Sequence, residues 1–165
     1  MRVIRPLLGI LICLLALVTV PLPTQAASSA AIRAYDDVKS VVKDFSGQDL
    51  AKAEFSNAKL IEANFSNANL QGAVFNGSIA KKANFHGADF SNGIAYLSDF
   101  SGVDLSDAVL TSAMLLKTNF RGAKITGADF SFAVLDRNQL LEMCKSASGT
   151  NPVTGIDTRD SLECS

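Results

Sequence analysis

A five-residue period runs through residues 44–135 and constrains the fold more than any other feature of the chain. Nineteen positions spaced five apart begin at Phe45 and end at Leu135, and 17 of them are Phe, Leu or Ile. We call each such position the centre of its unit. The two exceptions are Ala80 and Ala95, and the residue two before the centre is alanine in twelve units. This spacing matches neither the helical period of 3.6 nor the strand period of 2, so the segment is predicted to be a repeat architecture.

The units resemble the pentapeptide-repeat family, whose pattern is A(D/N)LXX. Residues 63–67 read ANFSN and residues 88–92 read ADFSN. The resemblance implies an all-β solenoid, a right-handed quadrilateral β-helix in which four pentapeptides form one square coil. The centre and the residue two before it would point inward, and the other three would face solvent. Such a column has two open ends, so we expect short α-helical caps at both ends.

Residues 1–26 are predicted to be a secretory signal peptide. Arg2 and Arg5 precede an apolar run at residues 7–20, and residues 24–26 read TQA, a small-x-small cleavage site. The alternative is an uncleaved membrane anchor, but the run of 14 residues is shorter than the roughly 20 that span a bilayer. We therefore expect an exported protein with no stable membrane insertion after cleavage.

The charge that remains after cleavage bears on possible partners. Removing residues 1–26 leaves 139 residues with 13 basic and 16 acidic side chains, a net charge of −3. Nucleic-acid binders are usually basic, so no nucleic-acid partner is expected. A strong DNA mimic would carry many more carboxylates than this.

The predicted N-terminal cap is a helix over residues 27–43. Ser28 or Ser29 can cap it, and four apolar residues at three- and four-residue spacing would form one face. These residues are Ile32, Tyr35, Val38 and Val42.

Residues 136–165 are predicted to form the C-terminal cap. Asp136 and Gln139 have the spacing of a capping box, and a helix should follow and end near Gly149. Thr158 can cap a short final turn through Leu162. These two elements would close the second end of the column.

Cys144 and Cys164 are the only cysteines outside the predicted signal. An even pair in an exported chain favours a disulfide, although two free buried thiols are the alternative. The tail around them resembles that of pentapeptide-repeat proteins of the thylakoid lumen. This resemblance implies a lumenal or periplasmic location.

Candidates for catalysis or metal binding are few. His86 is the single histidine and should face solvent as an ordinary surface side chain. Ser78 and Lys81 have Ser-x-x-Lys spacing, but Ser78 occupies an inward position and the companion motifs of serine acylases are missing. We predict no catalytic residue, no metal and no cofactor. Whether the core at Ala80 and Ala95 is filled by neighbours or left as a pocket stays open.

Stacking residues twenty apart predicts one apolar outer face. On the third face of the column, a stripe of apolar residues stands where the first face has Asp, Asn, Asn, Asp and Lys. Exposed apolar patches usually mark a contact, so this is a possible partner face, although a terminal helix could also cover it. The face comprises Val74, Ile94, Tyr96, Leu97, Met114, Leu116 and Val134.

Two functions of different classes are compatible with these features. The first is a non-enzymatic exported structural or protein-interaction scaffold, with an unidentified protein partner or a second copy of the chain. The alternative is a DNA-mimicking topoisomerase inhibitor, as some cytosolic pentapeptide-repeat proteins are. The signal peptide and the small net charge oppose the alternative.

Overall fold

The computed structural model describes residues 43–164. Fifteen parallel β-bridges each join two residues that are 20 positions apart, from Asp44 with Asn64 to Met114 with Val134. Every bridging residue directly precedes a centre, so four five-residue units form one coil, as predicted. The predicted signal peptide 1–26 and almost all of the capping helix 27–43 lie outside the described residues.

The bridges define four faces around the column. Each side of a coil is a strand reduced to one bridging residue, and two-residue turns join the sides. The first face has centres Phe45, Phe65, Phe85, Leu105 and Ile125; the second Leu50, Leu70, Phe90, Leu110 and Phe130; the third Phe55, Phe75, Ala95, Leu115 and Leu135; the fourth Leu60, Ala80, Phe100 and Phe120.

Each corner is a tight turn that uses a left-handed residue. In the first corner the Gln48 N–H donates to the Phe45 carbonyl at 3.2 Å. The residue two after the centre has positive φ in all 18 units from Gly47 to Phe132, while the residue before it does not. This is the pattern of a type II turn, which favours Gly or Asn at that position. The large side chains Leu97 and Phe132 nevertheless occupy it, at φ of 55° and 60°.

The core is a stack of centres with small residues between them. Nearly all centres and the residues two before them are buried, which confirms the predicted inward positions. On the first face the rings of Phe45, Phe65 and Phe85 stack with centroid distances of 4.8 Å at both steps. Such pairs add about 0.5–1.5 kcal/mol each beyond the burial of their area.

Neighbouring rings fill the space beside the two alanine centres. Ala80 and Ala95 are both fully buried. Next to Ala95, Gly93 leaves room for the Phe90 ring, because a Cβ on Gly93 would lie only 2.4 Å from Phe90 Cε2. The Phe100 ring, whose centre follows Ala80 in its column, stacks on Phe85 at 5.4 Å. Aromatic side chains thus compensate for the missing volume.

The residue before the centre stabilises the turn when it is polar. Asn64 Oδ1 accepts the backbone N–H of Ser66 at 3.1 Å, and the same bond recurs at most Asp and Asn residues in this position. Asn84 Nδ2 also donates to Asn64 Oδ1 at 3.2 Å, so the two stacked amides are linked from one coil to the next. The family preference for Asp or Asn therefore has a local cause.

The C-terminal cap contains two short helices, α1 at Arg137–Met143 and α2 at Thr158–Ser161. Gln139 Oε1 accepts the Asp136 N–H at 2.6 Å, as expected for a capping box. The prediction that the first helix reaches Gly149 is wrong. After Met143 the chain turns so that the Ser148 carbonyl can accept the Gly127 N–H at 2.8 Å.

The N-cap residue of α2 also differs from the prediction. Asp157, rather than Thr158, is its N-cap and accepts the Arg159 N–H at 2.8 Å. Thr158 is fully buried and its hydroxyl donates to the Ile125 carbonyl at 3.5 Å, so it anchors the helix to the column. Cys144 and Cys164 form a disulfide with a Cα–Cα distance of 5.6 Å, which ties the two helical elements together.

Candidate functional site

The third face of the column carries a continuous stripe of outward apolar side chains. The bridges join Val74 to Ile94, Ile94 to Met114, and Met114 to Val134, so the four residues stack in one line as predicted. Val74 and Ile94 are half-buried, whereas Met114 and Val134 are 44% and 46% exposed. The stripe becomes more exposed towards the C-terminal end of the column.

Three further predicted residues lie at the corner between the third and fourth faces. Tyr96 and Leu116 are half-buried, and Leu97 is 58% exposed. The Tyr96 N–H donates to Asn76 Oδ1 at 3.1 Å, and Lys117 Nζ lies 5.7 Å from the centroid of the Tyr96 ring. The corner therefore combines an exposed aliphatic side chain with a partly covered aromatic ring. We refer to these seven residues together as the third-face surface.

Sequence reasoning missed Phe132. It lies at the corner that leads into the third face, two residues before Val134, and it is 85% exposed. Its position in the unit is the left-handed one, where a bulky side chain is strained. An aromatic residue in a position that favours Gly or Asn was the signal in the sequence that could have identified it.

The apolar stripe is not required by the scaffold. Asp and Asn at the same position on other faces accept a backbone N–H from their own turn, as Asp89 does from Ser91 at 3.0 Å. Val74, Ile94 and Met114 have no side-chain acceptor and forgo this bond. Since polar residues at this position help to form the turn, the apolar choice calls for a separate explanation.

The C-terminal helices do not cover the stripe. Met114 and Val134 remain substantially exposed in the presence of both helices, which pack on the end of the column. One form of the alternative, in which α1 or α2 folds back along this face, is therefore wrong. The segment before Lys43 lies outside the described residues.

The other candidate residues are placed as surface or core groups. His86 is exposed, with Nδ1 3.8 Å from Asp107 Oδ2. Ser78 is buried, whereas Lys81 is exposed and pairs with Asp99 at 3.2 Å, so the structure separates the Ser-x-x-Lys residues. Within residues 43–164 there is no group of three or more His, Cys, Asp or Glu side chains that could hold a metal ion.

Hydrogen bonds lower the pKa of Asp89 and of Asp99 on the column surface. Burial alone would raise the pKa of Asp99, but hydrogen bonds from Ser101 and the nearby Lys81 ammonium outweigh it and lower that pKa. Burial would also raise the pKa of Asp89, but hydrogen bonds from Ser91 and Gln71 outweigh burial and lower that pKa. A lowered pKa is the opposite of what a general acid at neutral pH needs. These carboxylates act as hydrogen-bond acceptors in the turns.

No helix in the described part of the chain is long and apolar enough to cross a membrane.

The parallel bridges at a spacing of 20 residues define a solenoid protein whose coils contain four pentapeptides. The family model for pentapeptide repeats matches residues 44–77, 58–94, 68–107 and 104–137. These matches cover more than half of the chain, and the chain belongs to the pentapeptide-repeat family.

Two similar proteins come from the same compartment of a plant. The chain is 65% identical over 43 residues to the thylakoid lumenal protein TL20.3 of Arabidopsis thaliana. This match covers 26% of this chain and 15% of that protein. The chain is 37% identical to a crystallised pentapeptide repeat protein from the Arabidopsis thaliana thylakoid lumen. That match covers 73% of this chain and 90% of the other, with a TM-score of 0.33.

A third similar protein is the plasmid-mediated fluoroquinolone resistance protein QnrB1. It is 29% identical to this chain, and the match covers 55% of this chain and 47% of QnrB1 with a TM-score of 0.41. The chain spans only a small part of TL20.3 and about half of QnrB1.

Proposed function

We propose that this chain is a non-enzymatic, exported scaffold that binds another protein through the third-face surface. The observation that carries the proposal is the apolar line on the third face, in which the half-buried Ile94 is followed by the exposed Met114 and Val134. Contiguous apolar patches of this kind usually mark protein contacts. The rigid coil spacing holds these side chains in a straight row, which suits a partner with a complementary apolar ridge or strand.

We infer that the protein works in the thylakoid lumen, with the periplasm as the other exported location. Two similar proteins are lumenal, and the disulfide between Cys144 and Cys164 fits an oxidising compartment. We also infer the right-handed winding that is typical of the family. Export of the protein rests on the predicted signal at residues 1–26.

DNA mimicry is the weaker proposal. A mimic needs carboxylates along its faces, whereas the third face presents valine, isoleucine and methionine. It must also reach DNA enzymes, which the predicted export would prevent. Fractionation of the cells that make the protein would separate the two functions, because a cytoplasmic location would favour mimicry.

The third-face surface can be tested with a matched pair of substitutions. Met114→Lys places a charge on the stripe, and Ile79→Lys places the same charge at the equivalent position of the fourth face. The two side chains are 44% and 37% exposed, so both variants should fold. Proteins captured from a lumenal extract by the wild type and by Ile79→Lys, and lost with Met114→Lys, are the expected result.

Two outcomes would contradict the proposal. If all three proteins capture the same set, the partner face lies elsewhere. If Met114→Lys lowers the thermal midpoint well below that of Ile79→Lys, the stripe is packed against another part of the same chain. Sedimentation of the wild type alone distinguishes a second copy, since self-association that Met114→Lys abolishes would assign the face to a homo-oligomer.

A further inference from the structure

The C-terminal cap supplies an acceptor to one backbone donor on each of the first two faces of the last coil and to neither donor on the fourth. In a regular coil the backbone N–H groups on each face donate to carbonyls of the next coil. At the C-terminal end of the column there is no next coil to accept them. The cap provides substitute acceptors at single positions. Gly127 N–H of the first face donates to the Ser148 carbonyl at 2.8 Å, and Phe130 N–H of the second face donates to Ser161 Oγ at 3.0 Å. On the third face, Asp136 Oδ2 accepts the Lys117 N–H of the preceding coil at 3.0 Å.

The fourth face ends in an open strand edge. One coil earlier, Phe100 and Gly102 donate their N–H groups to the carbonyls of Asn119 and Arg121, both at 2.9 Å. The equivalent groups of the last coil, Phe120 N–H and Gly122 N–H, have no acceptor within residues 43–164. Unpaired strand edges of this kind are templates for another chain.

A cavity of about 470 Å³ lies over this edge. Phe120, Ile125 and Met143 give it an apolar floor, and Phe120 and Met143 are 8% and 5% exposed. Asn138 and Glu142 of α1 form the opposite wall. The space therefore has room for a side chain as well as for an added backbone.

The charges around the cavity favour an acidic ligand. Arg121 lines the cavity, and its guanidinium has no acidic partner among the described residues. The one carboxylate in the wall, that of Glu142, lies 2.6 Å from Lys145 Nζ and is largely compensated. Two backbone donors and one uncompensated cation thus point into or border the same space.

We propose that this cavity binds an extended peptide segment of another protein as an added strand. Carbonyl groups of the peptide would accept from Phe120 N–H and Gly122 N–H, as Asn119 and Arg121 carbonyls do one coil earlier. An apolar side chain of the peptide would contact the floor of the cavity, and an acidic residue beside it would pair with Arg121. The segment would resemble the missing fourth-face pentapeptide of a further coil.

This inference goes beyond the proposed function, because the site lies at the end of the column and shares no residue with the third-face surface. The probe is an acetylated and amidated peptide that copies residues 96–103, YLSDFSGV, which has an aspartate directly before its phenylalanine. The full chain is used, and amide hydrogen exchange is measured by NMR. In the free protein, Phe120 and Gly122 should exchange faster than Phe100 and Gly102.

Peptide at about ten times its Kd should slow the exchange of Phe120 and Gly122 roughly tenfold and leave Phe100 and Gly102 unchanged. A peptide with lysine in place of its phenylalanine should have no such effect. Arg121→Gln should weaken binding of the original peptide but not of a version with asparagine in place of aspartate. No slowing at millimolar peptide would overturn the proposal.

Two tryptophan variants on α1 provide a matched control. Asn138→Trp should fill the cavity and abolish the protection, whereas Leu141→Trp should not, because Leu141 is 55% exposed and lies outside the cavity lining. Equal protection in both variants would place the peptide elsewhere. Slow exchange of the Phe120 and Gly122 amides in the free protein would also overturn the proposal. If that slow exchange depends on protein concentration, a second copy of the chain occupies the edge. If it does not depend on concentration, another part of the same chain covers the edge.

Discussion

The repeat column and the C-terminal cap solve the same problem in different ways. Both must find partners for the backbone N–H and C=O groups of square coils. In the column each coil is completed by the next one, so the Phe65 N–H donates to the Asn84 carbonyl at 2.6 Å and the pattern repeats. At the end of the column there is no next coil, and individual side chains of the cap form hydrogen bonds with the backbone groups instead.

Asn151 shows how the cap replaces a coil. It is 1% exposed, and its Nδ2 donates to the carbonyls of Asp107, Ala108 and Gly127 at 3.2, 3.1 and 2.8 Å. Its Oδ1 accepts two N–H groups of the following turn at 2.9 and 3.0 Å. One buried side chain of the cap thus bonds both to the column and to its own turn. Column stability is therefore distributed over many units, whereas cap stability is concentrated in a few residues.

Loss of the disulfide between Cys144 and Cys164 should destabilise the chain most. Cys144→Ser combined with Cys164→Ser opens a loop with a sequence separation of 20, and the chain-entropy estimate for such a loop is about 3 kcal/mol. Thermal unfolding followed by circular dichroism should show a lower midpoint, and light scattering should show more aggregation as the strand edges are uncovered. Equal midpoints for the oxidised and reduced wild type would contradict a stabilising role for the bond.

The second comparison is between two asparagines. Asn151→Ala should lower the free energy of unfolding by about 2 kcal/mol, because buried carbonyls lose their donor. Asn84→Ala, in the middle of the column, should lower it by only about 0.5 kcal/mol, since its side chain is half-buried and water can replace its bonds. Urea unfolding measures both. Similar losses of unfolding free energy in the two variants would show that stability is no more concentrated in single residues of the cap than in those of the column.

The smallest effect concerns two serines stacked in the column. Ser98 Oγ donates to the Phe75 carbonyl at 2.6 Å, whereas the buried Ser78 Oγ has no hydrogen-bond partner within residues 43–164. Ala58 precedes them at the same inward position, so alanine fits there. Ser98→Ala should cost about 1 kcal/mol, and Ser78→Ala should be neutral or slightly stabilising.

Urea unfolding of the two alanine variants checks this pair under identical conditions. The difference between them isolates the hydrogen bond, because both substitutions remove the same hydroxyl from the same column. An equal loss in both variants would mean that the Ser78 hydroxyl has a partner after all.

The column could be predicted from sequence because the five-residue period directly determines the position of each residue in a coil. The alternation of Phe, Leu and Ala fixes which residues point inward, and the spacing of four units fixes which residues stack. Asn64 with Asn84 and Ile94 with Met114 could therefore be paired before any coordinates were known, and both pairs are adjacent in the structure. Local chemistry and the global fold agree at nearly every unit.

The cap and the filling of the core could not be predicted to the same degree. Asn151 lies 24 residues from Gly127 and 43 from Ala108 in the chain, and no period connects these positions. The Phe90 ring next to Gly93 likewise depends on a rotamer and a turn, which residue spacing does not specify. The open edge at Phe120 becomes visible only when every donor of the last coil is matched to an acceptor.

The twenty-residue register has a consequence for how this chain can change in length. Removing one pentapeptide would rotate everything after it by a quarter turn, while each remaining unit would still look normal. The row through Ile94 and Met114 would then break, and Asn151 would meet a different side of the column. Viable insertions and deletions should therefore come in multiples of twenty residues. The angle between the third-face surface and the cap is preserved only under such steps.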